Sequence, residues 1–280
     1  MANVRIIFPN IADDATLSCS PAEVAALPVT NLQDQTRGKV WRSNGVISAQ
    51  HIYGDLAGYQ NCSALALVRH NLTATGTYRL RLYDQTGQAG TLLYDSGTVT
   101  LGGTILGWGA FDWGTDPWGA GSLQDWPVPY FVVWFDTVNA LSFDLQLDDT
   151  ANPDGYLEAS RLVLGHYFEP EVNAGAGLEM AWMEQSKQSR TEGGTLRTDE
   201  RDPYRRFALH LPRLTAAERT TLLDRLRRAG LRNDIFLSCA PQMDSDLERD
   251  YTGLVKLTST PGMVADLPGN FKTELIFEES

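Results

Sequence analysis

The stretch Thr77-Tyr78-Arg79-Leu80-Arg81-Leu82-Tyr83 alternates between apolar and charged side chains along its whole length. A period of two places Arg79 and Arg81 on one face and the apolar side chains on the other, which is typical of a half-buried β-strand. The next residues, Asp84-Gln85-Thr86-Gly87, are turn formers. This stretch therefore predicts a strand of an antiparallel sheet.

Other short runs in the first part of the chain share this character, and turn residues separate them. The runs are 63–68, 92–94, 130–135, 140–147 and 157–164. Several short strands without intervening helices favour an antiparallel sandwich over a parallel α/β sheet. We expect a mainly β protein whose N-terminal domain, residues 1–170, is a jelly-roll-like β-sandwich.

The remainder, residues 171–280, mixes strand-like runs with one clear helix. The helix begins with a capping box in which Thr215 is the N-cap and Glu218 occupies the third helical position. Leu222, Leu223 and Leu226 would share its buried face, and Gly230 stands where a C-terminal cap belongs. We predict a smaller α+β domain, joined to the first by a turn-rich segment.

The charge of the chain limits its partners. The 280 residues include 23 Lys and Arg against 35 Asp and Glu, a net charge of −12. Nucleic acids and anionic membranes require a basic face, so we expect neither as a partner. Residues 1–170 carry 8 basic and 17 acidic side chains, a net charge of −9, so most of the net charge of −12 lies in the predicted sandwich.

The sequence also indicates where the protein is made. It has no apolar run of about 18 residues, and its N-terminus lacks the features of a signal peptide. Cys19, Cys62 and Cys239 are too few and too widely spaced for a disulfide framework or a zinc site. We expect synthesis in the cytosol, no insertion into a membrane and reduced thiols.

Catalytic and metal-binding motifs are weak. No Gly-x-Ser-x-Gly elbow occurs, and the four His residues have no evident triad partners. The segment 148–155 holds three Asp and one Asn, which suits either a calcium ion or an ordinary turn. We therefore predict a protein that is not an enzyme and has no catalytic residues, no metal and no cofactor. A glycan-degrading enzyme is the alternative hypothesis.

One loop is unusually aromatic, because four of the seven Trp residues lie between 108 and 126. Exposed indoles are unfavourable in water, so the loop must pack against its own domain, a partner or a ligand. Trp faces stack on sugar rings, and nearby Asp side chains accept hydrogen bonds from hydroxyls. A subunit contact is the alternative. The candidate carbohydrate-binding residues are Trp108, Trp113, Trp118, Asp112 and Asp116.

Four stretches together resemble discoidin-like, galactose-binding-like β-sandwich domains. They are Pro28-Val29-Thr30-Asn31-Leu32-Gln33-Asp34, Val40-Trp41-Arg42-Ser43, Ile52-Tyr53-Gly54-Asp55-Leu56-Ala57 and 64–72. The resemblance implies that Trp41 fills the core, that Leu56 closes its end, and that a strand ends in a turn at 55–57. Ala57 stands where those domains have Gly.

Further motifs resemble virion proteins of tailed bacteriophages, especially distal tail proteins. They are His70-Asn71-Leu72, Glu192-Gly193-Gly194, Tyr204-Arg205-Arg206 and Leu214-Thr215-Ala216-Ala217-Glu218-Arg219. The resemblance implies a structural role in the virion tail. Copies would form a ring or trimer-based collar between the tail tube and the baseplate hub, with the sandwich projecting outward. A carbohydrate-binding module that adsorbs to host-surface glycan through the Trp-rich loop is the alternative.

A tail collar needs contacts between unlike surfaces of neighbouring copies. The predicted helix and the residues after it are rich in Arg, and these cations would pair with an acidic surface of a neighbour or else form a solvated face. The candidate interface residues are Arg219, Arg225, Arg228 and Arg232.

Overall fold

Antiparallel sheets form most of the regular structure, so the predicted mainly β class is confirmed. The computed structural model describes residues 3–101, 129–175, 178–241, 245–267 and 269–280. Contacts divide the chain into two units. The sandwich unit comprises residues 9–167, and the α+β unit comprises residues 1–8 together with 168–280.

The first eight residues belong to the same unit as the C-terminal part of the chain. The prediction from the sequence instead assigns the whole of residues 1–170 to the sandwich. Strand β1 (Arg5–Ile7) pairs with β16 (Ile235–Ser238), with Ile6 opposite Leu237. A pairing across more than 220 positions leaves no trace in local sequence patterns, because a strand run does not identify its partner.

The strands of the sandwich unit are β2 (Thr16–Ser20), β3 (Trp41–Arg42), β4 (Gln50–Val68), β5 (Thr77–Tyr83), β6 (Leu92–Asp95), β7 (Val99–Thr100), β8 (Tyr130–Asp148), β9 (Glu158–Ala159) and β10 (Arg161–Gly165). In one large sheet, β10, β4, β8, β5 and β6 are neighbours in that order, β2 also pairs with β4, and β7 pairs with β5. Strands β3 and β9 form a separate two-stranded sheet. Short 3₁₀ helices occupy Ile11–Asp14, Val29–Gln33 and Thr86–Gln88.

Strands β4 and β8 are each 19 residues long. The sequence pattern predicts two shorter strands within β8, at 130–135 and 140–147, and one within β4, at 63–68, where the resemblance implies another strand that ends at 55–57. The pairing of β4 with β8 is interrupted by a register shift between Asp55 and Gln60. Such bulges bend a strand without ending it. The segment 55–57 is therefore part of β4, and the turn implied there by the resemblance is wrong.

The interior of the sandwich unit contains the two residues that the resemblance places there. Trp41 is fully buried and Leu56 nearly so, and both belong to one apolar core. The two halves of β4 contribute Ile52 and Leu65 to that same core. Both ends of this long strand thus cover a single interior, as a sandwich requires.

The other strands of the sheets associated with the α+β unit are β11 (Tyr167–Phe168), β12 (Glu179–Met183), β13 (Lys187–Arg190), β14 (Leu196–Asp199), β15 (Tyr204–Leu214), β17 (Thr252–Leu257), β18 (Met263–Leu267) and β19 (Asn270–Glu279). The main sheet has the order β11, β1, β16, β17, β19, β15 and β12, and β18 pairs with β19. Strands β13 and β14 pair with each other as a separate ribbon. The helices are α1 (Ala216–Ala229) and α2 (Ser245–Asp250).

Helix α1 begins and ends as predicted. The Glu218 amide donates to Thr215 Oγ1 at 3.3 Å, and the Thr215 amide donates to Glu218 Oε2 at 2.7 Å. Gly230 follows with φ of 57°, a conformation that glycine adopts without strain. Leu222 is buried, whereas Leu223 is 37% exposed and lies off the predicted buried face. No helix of the described segments is long and apolar enough to cross a bilayer.

Candidate functional site

The outer surface of the sandwich sheet carries a cluster of polar side chains on three adjacent strands. Arg81 of β5 lies opposite Asp144 of β8, which in turn lies opposite Tyr53 of β4. One row further along, Arg79 lies opposite Gln146 and Gln146 opposite His51. We call this surface the polar face, and it comprises His51, Tyr53, Arg79, Arg81, Asp144 and Gln146.

Asp144 is the hub of the polar face. Its Oδ2 accepts a hydrogen bond from Arg81 Nη2 at 2.6 Å, and its Oδ1 lies 2.8 Å from His51 Nδ1. The Asp144 side chain is only 6% exposed, whereas those of Arg81 and His51 both retain contact with solvent. One buried carboxylate thus fixes two side chains that are themselves partly exposed.

Arg81 has unused hydrogen-bonding capacity. Its Nη2 also reaches Gln146 Oε1 at 3.4 Å. Among the described residues, however, no acceptor meets its buried Nε–H. A buried donor without a partner is unfavourable, so this group would gain from a ligand oxygen or a bound water.

Tyr53 supplies an aromatic ring beside these polar groups. It stacks on the His51 ring with centroids 5.4 Å apart and planes 15° apart. Burial, and then the negative charge of Asp144, raise the pKa of the Tyr53 phenol. The phenol therefore stays protonated at neutral pH and can donate a hydrogen bond.

A second ion pair extends the row of charges toward the edge of the sheet. Arg79 donates from Nε and Nη2 to the two carboxylate oxygens of Asp95 at 2.9 and 2.5 Å. The hydrogen bond from Arg79 lowers the pKa of Asp95 to about 2. Both cationic side chains of the polar face are therefore held by carboxylates, which leaves no surplus of positive charge there.

This arrangement suits a polyhydroxylated ligand. It combines an aromatic ring, fixed N–H donors and carboxylate and amide acceptors on an open sheet surface, and hydroxyl groups can pair with each of these. Within the described segments no cluster of three or more His, Cys, Asp or Glu side chains could hold a metal ion. The geometry thus supports recognition by hydrogen bonds and ring contacts.

The aromatic loop predicted to bind carbohydrate is separate in sequence from the residues of the polar face. Its five candidate residues lie outside the described residues, and the description of the chain stops at Leu101 and resumes at Pro129. The candidates concerned are Trp108, Trp113, Trp118, Asp112 and Asp116.

Two of the four predicted interface arginines pack within their own unit. The Arg219 guanidinium lies 4.9 Å from the centroid of the Phe271 ring. Arg225 is half-buried, and its Nη1 donates to the Ile6 carbonyl at 3.4 Å. Burial lowers the pKa of Arg225. These two side chains support the α+β unit itself.

The other two predicted interface arginines remain at the surface. Arg228 forms an ion pair with Asp224 one helical turn earlier, and Arg232 is exposed beyond the end of α1. The four cations therefore do not form one continuous basic face, because a helix distributes positions 219, 225 and 228 around its axis.

The acidic segment 148–155 is a turn whose Asp149 is bonded to Thr73 and to Asn152 of the same segment. Asp149 accepts hydrogen bonds from the Thr73 amide at 2.6 Å and from Thr73 Oγ1 at 2.9 Å. Asn152 Nδ2 adds a longer bond at 3.3 Å. The Asp149 oxygens that a calcium ion would need are thus already occupied by protein donors.

The sequence contained part of the signal for the polar face. The alternation in 77–83 correctly predicts that Arg79 and Arg81 face away from the core. Polar residues also alternate through 142–146 in β8, but the pattern does not show that Asp144 lies opposite Arg81. That pairing depends on the register between strands distant in sequence.

No protein-family profile and no curated protein sequence matches the chain. Solved structures resemble part of it. A chitosan-binding module of a chitosanase/glucanase from Paenibacillus sp. IK-5 is 17% identical with a TM-score of 0.40, and the match covers 56% of this chain and 99% of the module. A family 32 carbohydrate-binding module from C. perfringens NanJ, in complex with galactose, is 17% identical with a TM-score of 0.38, covering 58% and 98%.

A third similar structure is a Clostridium perfringens module in complex with GalNAc-β-1,3-galactose. It is 13% identical with a TM-score of 0.37, and the match covers 56% of this chain and all of the module. Because each of these TM-scores lies below 0.5, none of the likenesses assigns a function to the chain.

Proposed function

We propose that the chain is a non-catalytic carbohydrate-binding protein and that its sandwich unit binds glycan through the polar face. The observation that carries the proposal is that the Asp144 carboxylate holds two donor side chains in place. Arg81 and His51 are both held by that buried carboxylate, beside the Tyr53 ring. Preorganised donors cost little conformational entropy on binding, which is what recognition of a flexible, well-hydrated ligand requires.

The charge of the polar face favours uncharged glycans. Arg79 and Arg81 are each paired with a carboxylate, so no free cation attracts an acidic polysaccharide. The chain as a whole carries a net charge of −12, which repels polyanions further. Neutral oligosaccharides on a host surface are therefore the proposed ligands.

A titration calorimetry experiment with neutral oligosaccharides tests this function. Wild-type protein should bind saturably, and Tyr53→Ala should weaken binding by about tenfold through loss of the ring contact. Tyr59→Ala is the matched control, because Tyr59 is an exposed tyrosine of the same strand that lies within the register shift, outside the polar face. Equal losses in the two variants would overturn the assignment of the site.

Variants of the Trp-rich loop are titrated in the second part of that experiment. Trp113→Ala and Trp118→Ala test the loop as the binding element, and the proposal requires that they retain most of the affinity. Abolished binding in these variants, with normal binding by Tyr53→Ala, would transfer the site from the polar face to the loop.

A structural role in a larger assembly is the second candidate function. It is favoured by the edge strand β12, on which Trp182 is 46% exposed. The role proposed is a ring or trimer-based collar of the virion tail that contacts the tail tube and baseplate hub, after synthesis in the host cytoplasm. Light scattering of the purified chain tests it: defined oligomers support this role, and a monomer at every concentration contradicts it.

A further inference from the structure

The ribbon of β13 and β14 lacks internal support. Its two strands pair with each other, Lys187 opposite Asp199 and Arg190 opposite Leu196, and with no other strand of the described residues. Every residue of the two strands is exposed, and Leu196 is their single apolar side chain. An isolated two-stranded hairpin is marginally stable in water, so the ribbon needs another surface to hold it.

Strand β12 offers such a surface. It pairs with β15 along one side, with Met180 opposite Phe207, and it ends the order of strands on that side of the sheet. Alternate backbone groups of an edge strand point outward and can pair with an added strand. The exposed Trp182 ring provides apolar contact area at the same edge.

The charges of the ribbon and of the edge strand are complementary. Lys187 and Arg197 lie on the ribbon, and Glu179 and Glu184 bracket the edge strand. None of these four exposed side chains has an ion-pair partner among the described residues. Two unpaired cations thus face outward on one element, and two unpaired anions on the other.

We infer that the ribbon of one copy of this chain docks on the β12 edge of a second copy. The inference rests on the second proposed function, assembly, and specifies its contact. Within one chain β13 pairs with β14 instead of turning back along β12, so no strand of the described segments covers this edge. The contact joins two different surfaces, so it closes into a ring or extends as a filament.

A ribbon deletion tests the inference directly. Residues 187–199 are replaced by a short Gly-Ser turn, and the mass in solution is measured by light scattering at concentrations up to the order of 100 μM. The wild type should form defined oligomers, and the deletion variant should be a monomer. Circular dichroism and thermal unfolding verify that the deletion variant remains folded.

Charge reversal provides a second test that preserves the ribbon. Lys187→Glu with Arg197→Glu, or Glu179→Lys with Glu184→Lys, should each weaken association by about tenfold or more. Combining all four changes should restore it. The matched control is Arg213→Glu with Arg227→Glu, which reverses two exposed cations of the same unit that lie outside the ribbon and are not among the candidate interface arginines.

The outcomes separate the two claims. A wild-type chain that stays monomeric at every concentration contradicts both the assembly function and the ribbon contact. A wild-type oligomer whose mass is unchanged by the deletion and by both reversals supports assembly and overturns the ribbon contact alone.

Discussion

Arg81 and Asp144 lie directly opposite each other on β5 and β8, and Arg81 Nη2 donates to Asp144 Oδ2 over 2.6 Å. The carboxylate is buried and the Arg81 side chain is partly exposed, so the pair fixes a cation near the surface of the sheet. His51 binds the other oxygen of the same carboxylate. The proposed glycan site depends on this shared anchor.

Replacing Arg81 by Lys should impair the site although the charge is preserved. Arg81 bonds both Asp144 and Gln146 through Nη2, and a lysine ammonium in that place would have no second rigid N–H group to offer a ligand, so glycan affinity should fall by about tenfold. Titration calorimetry measures the loss. Arg42→Lys is the control, since Arg42 pairs with Glu158 away from the polar face, and an equal loss there would contradict the role of Arg81.

Gly54 should be intolerant of any side chain. A Cβ at this position would lie 2.2 Å from Cε1 of the Phe143 ring, inside the core. Gly54→Ala must therefore displace a buried ring, and the free energy of unfolding should fall by about 2 kcal/mol. On the same strand a Cβ at Gly58 meets nothing within 4 Å, so Gly58→Ala should be nearly neutral in urea unfolding. Similar values for the two variants would refute this packing.

The buried pair of Arg205 and Glu279 should stabilise the α+β unit. The Arg205 side chain is 1% exposed and makes two hydrogen bonds to Glu279, at 2.6 and 3.0 Å. Its Nη1 also donates to the Asp250 carbonyl at the end of α2. Arg205→Ala leaves a buried carboxylate unpaired, so unfolding should become easier by about 3–5 kcal/mol.

Arg227→Ala is the control for that change. Arg227 pairs with Asp224 on the exposed side of α1, where solvent screens the interaction, so this variant should unfold almost like the wild type. Chemical denaturation of both variants measures the difference. A small effect of Arg205→Ala would show that the pair contributes little.

His70 should make the sandwich unit less stable in acid. Burial lowers the pKa of His70 to about 4, and its Nδ1 accepts a hydrogen bond from the Leu72 amide. The unfolded chain binds this proton below about pH 6.5 and the folded chain only below about pH 4, so stability falls as pH falls between these values. The loss attributable to His70 should reach about 2 kcal/mol at pH 5.

Denaturant unfolding of His70→Asn and the wild type at pH 7.5 and pH 5 measures that contribution. The variant should lose less stability on acidification than the wild type does. Gly58→Ala is the control, because it changes no titratable group and should keep the wild-type pH dependence. Identical pH dependence in wild type and His70→Asn would contradict the assignment to His70.

The sequence predicted those features that depend on neighbours along the chain. The alternation around Arg79 and Arg81 identified a strand and its outer face, and the Thr215–Glu218 capping box identified the start of α1. The burial of Trp41 followed from a resemblance in a short motif. Each of these signals is local, so each can be recognised from the sequence alone.

Features that depend on distant pairings could not be predicted. Tertiary contacts determine both the pairing of β1 with β16 and the continuation of β4 through its register shift. The same holds for the candidate site, because Asp144 is 63 positions from Arg81. The helix arginines are a further example. Arg219 packs on Phe271, and the sequence of α1 alone does not predict this contact.

Nuclear magnetic resonance tests the central claim most directly, by mapping amide shifts during titration with a neutral oligosaccharide that binds the protein. The account predicts saturable shifts concentrated at residues 51–53, 79–81 and 144–146. Shifts that leave these three segments unmoved while others change, or no saturable shift with any neutral glycan, would contradict it.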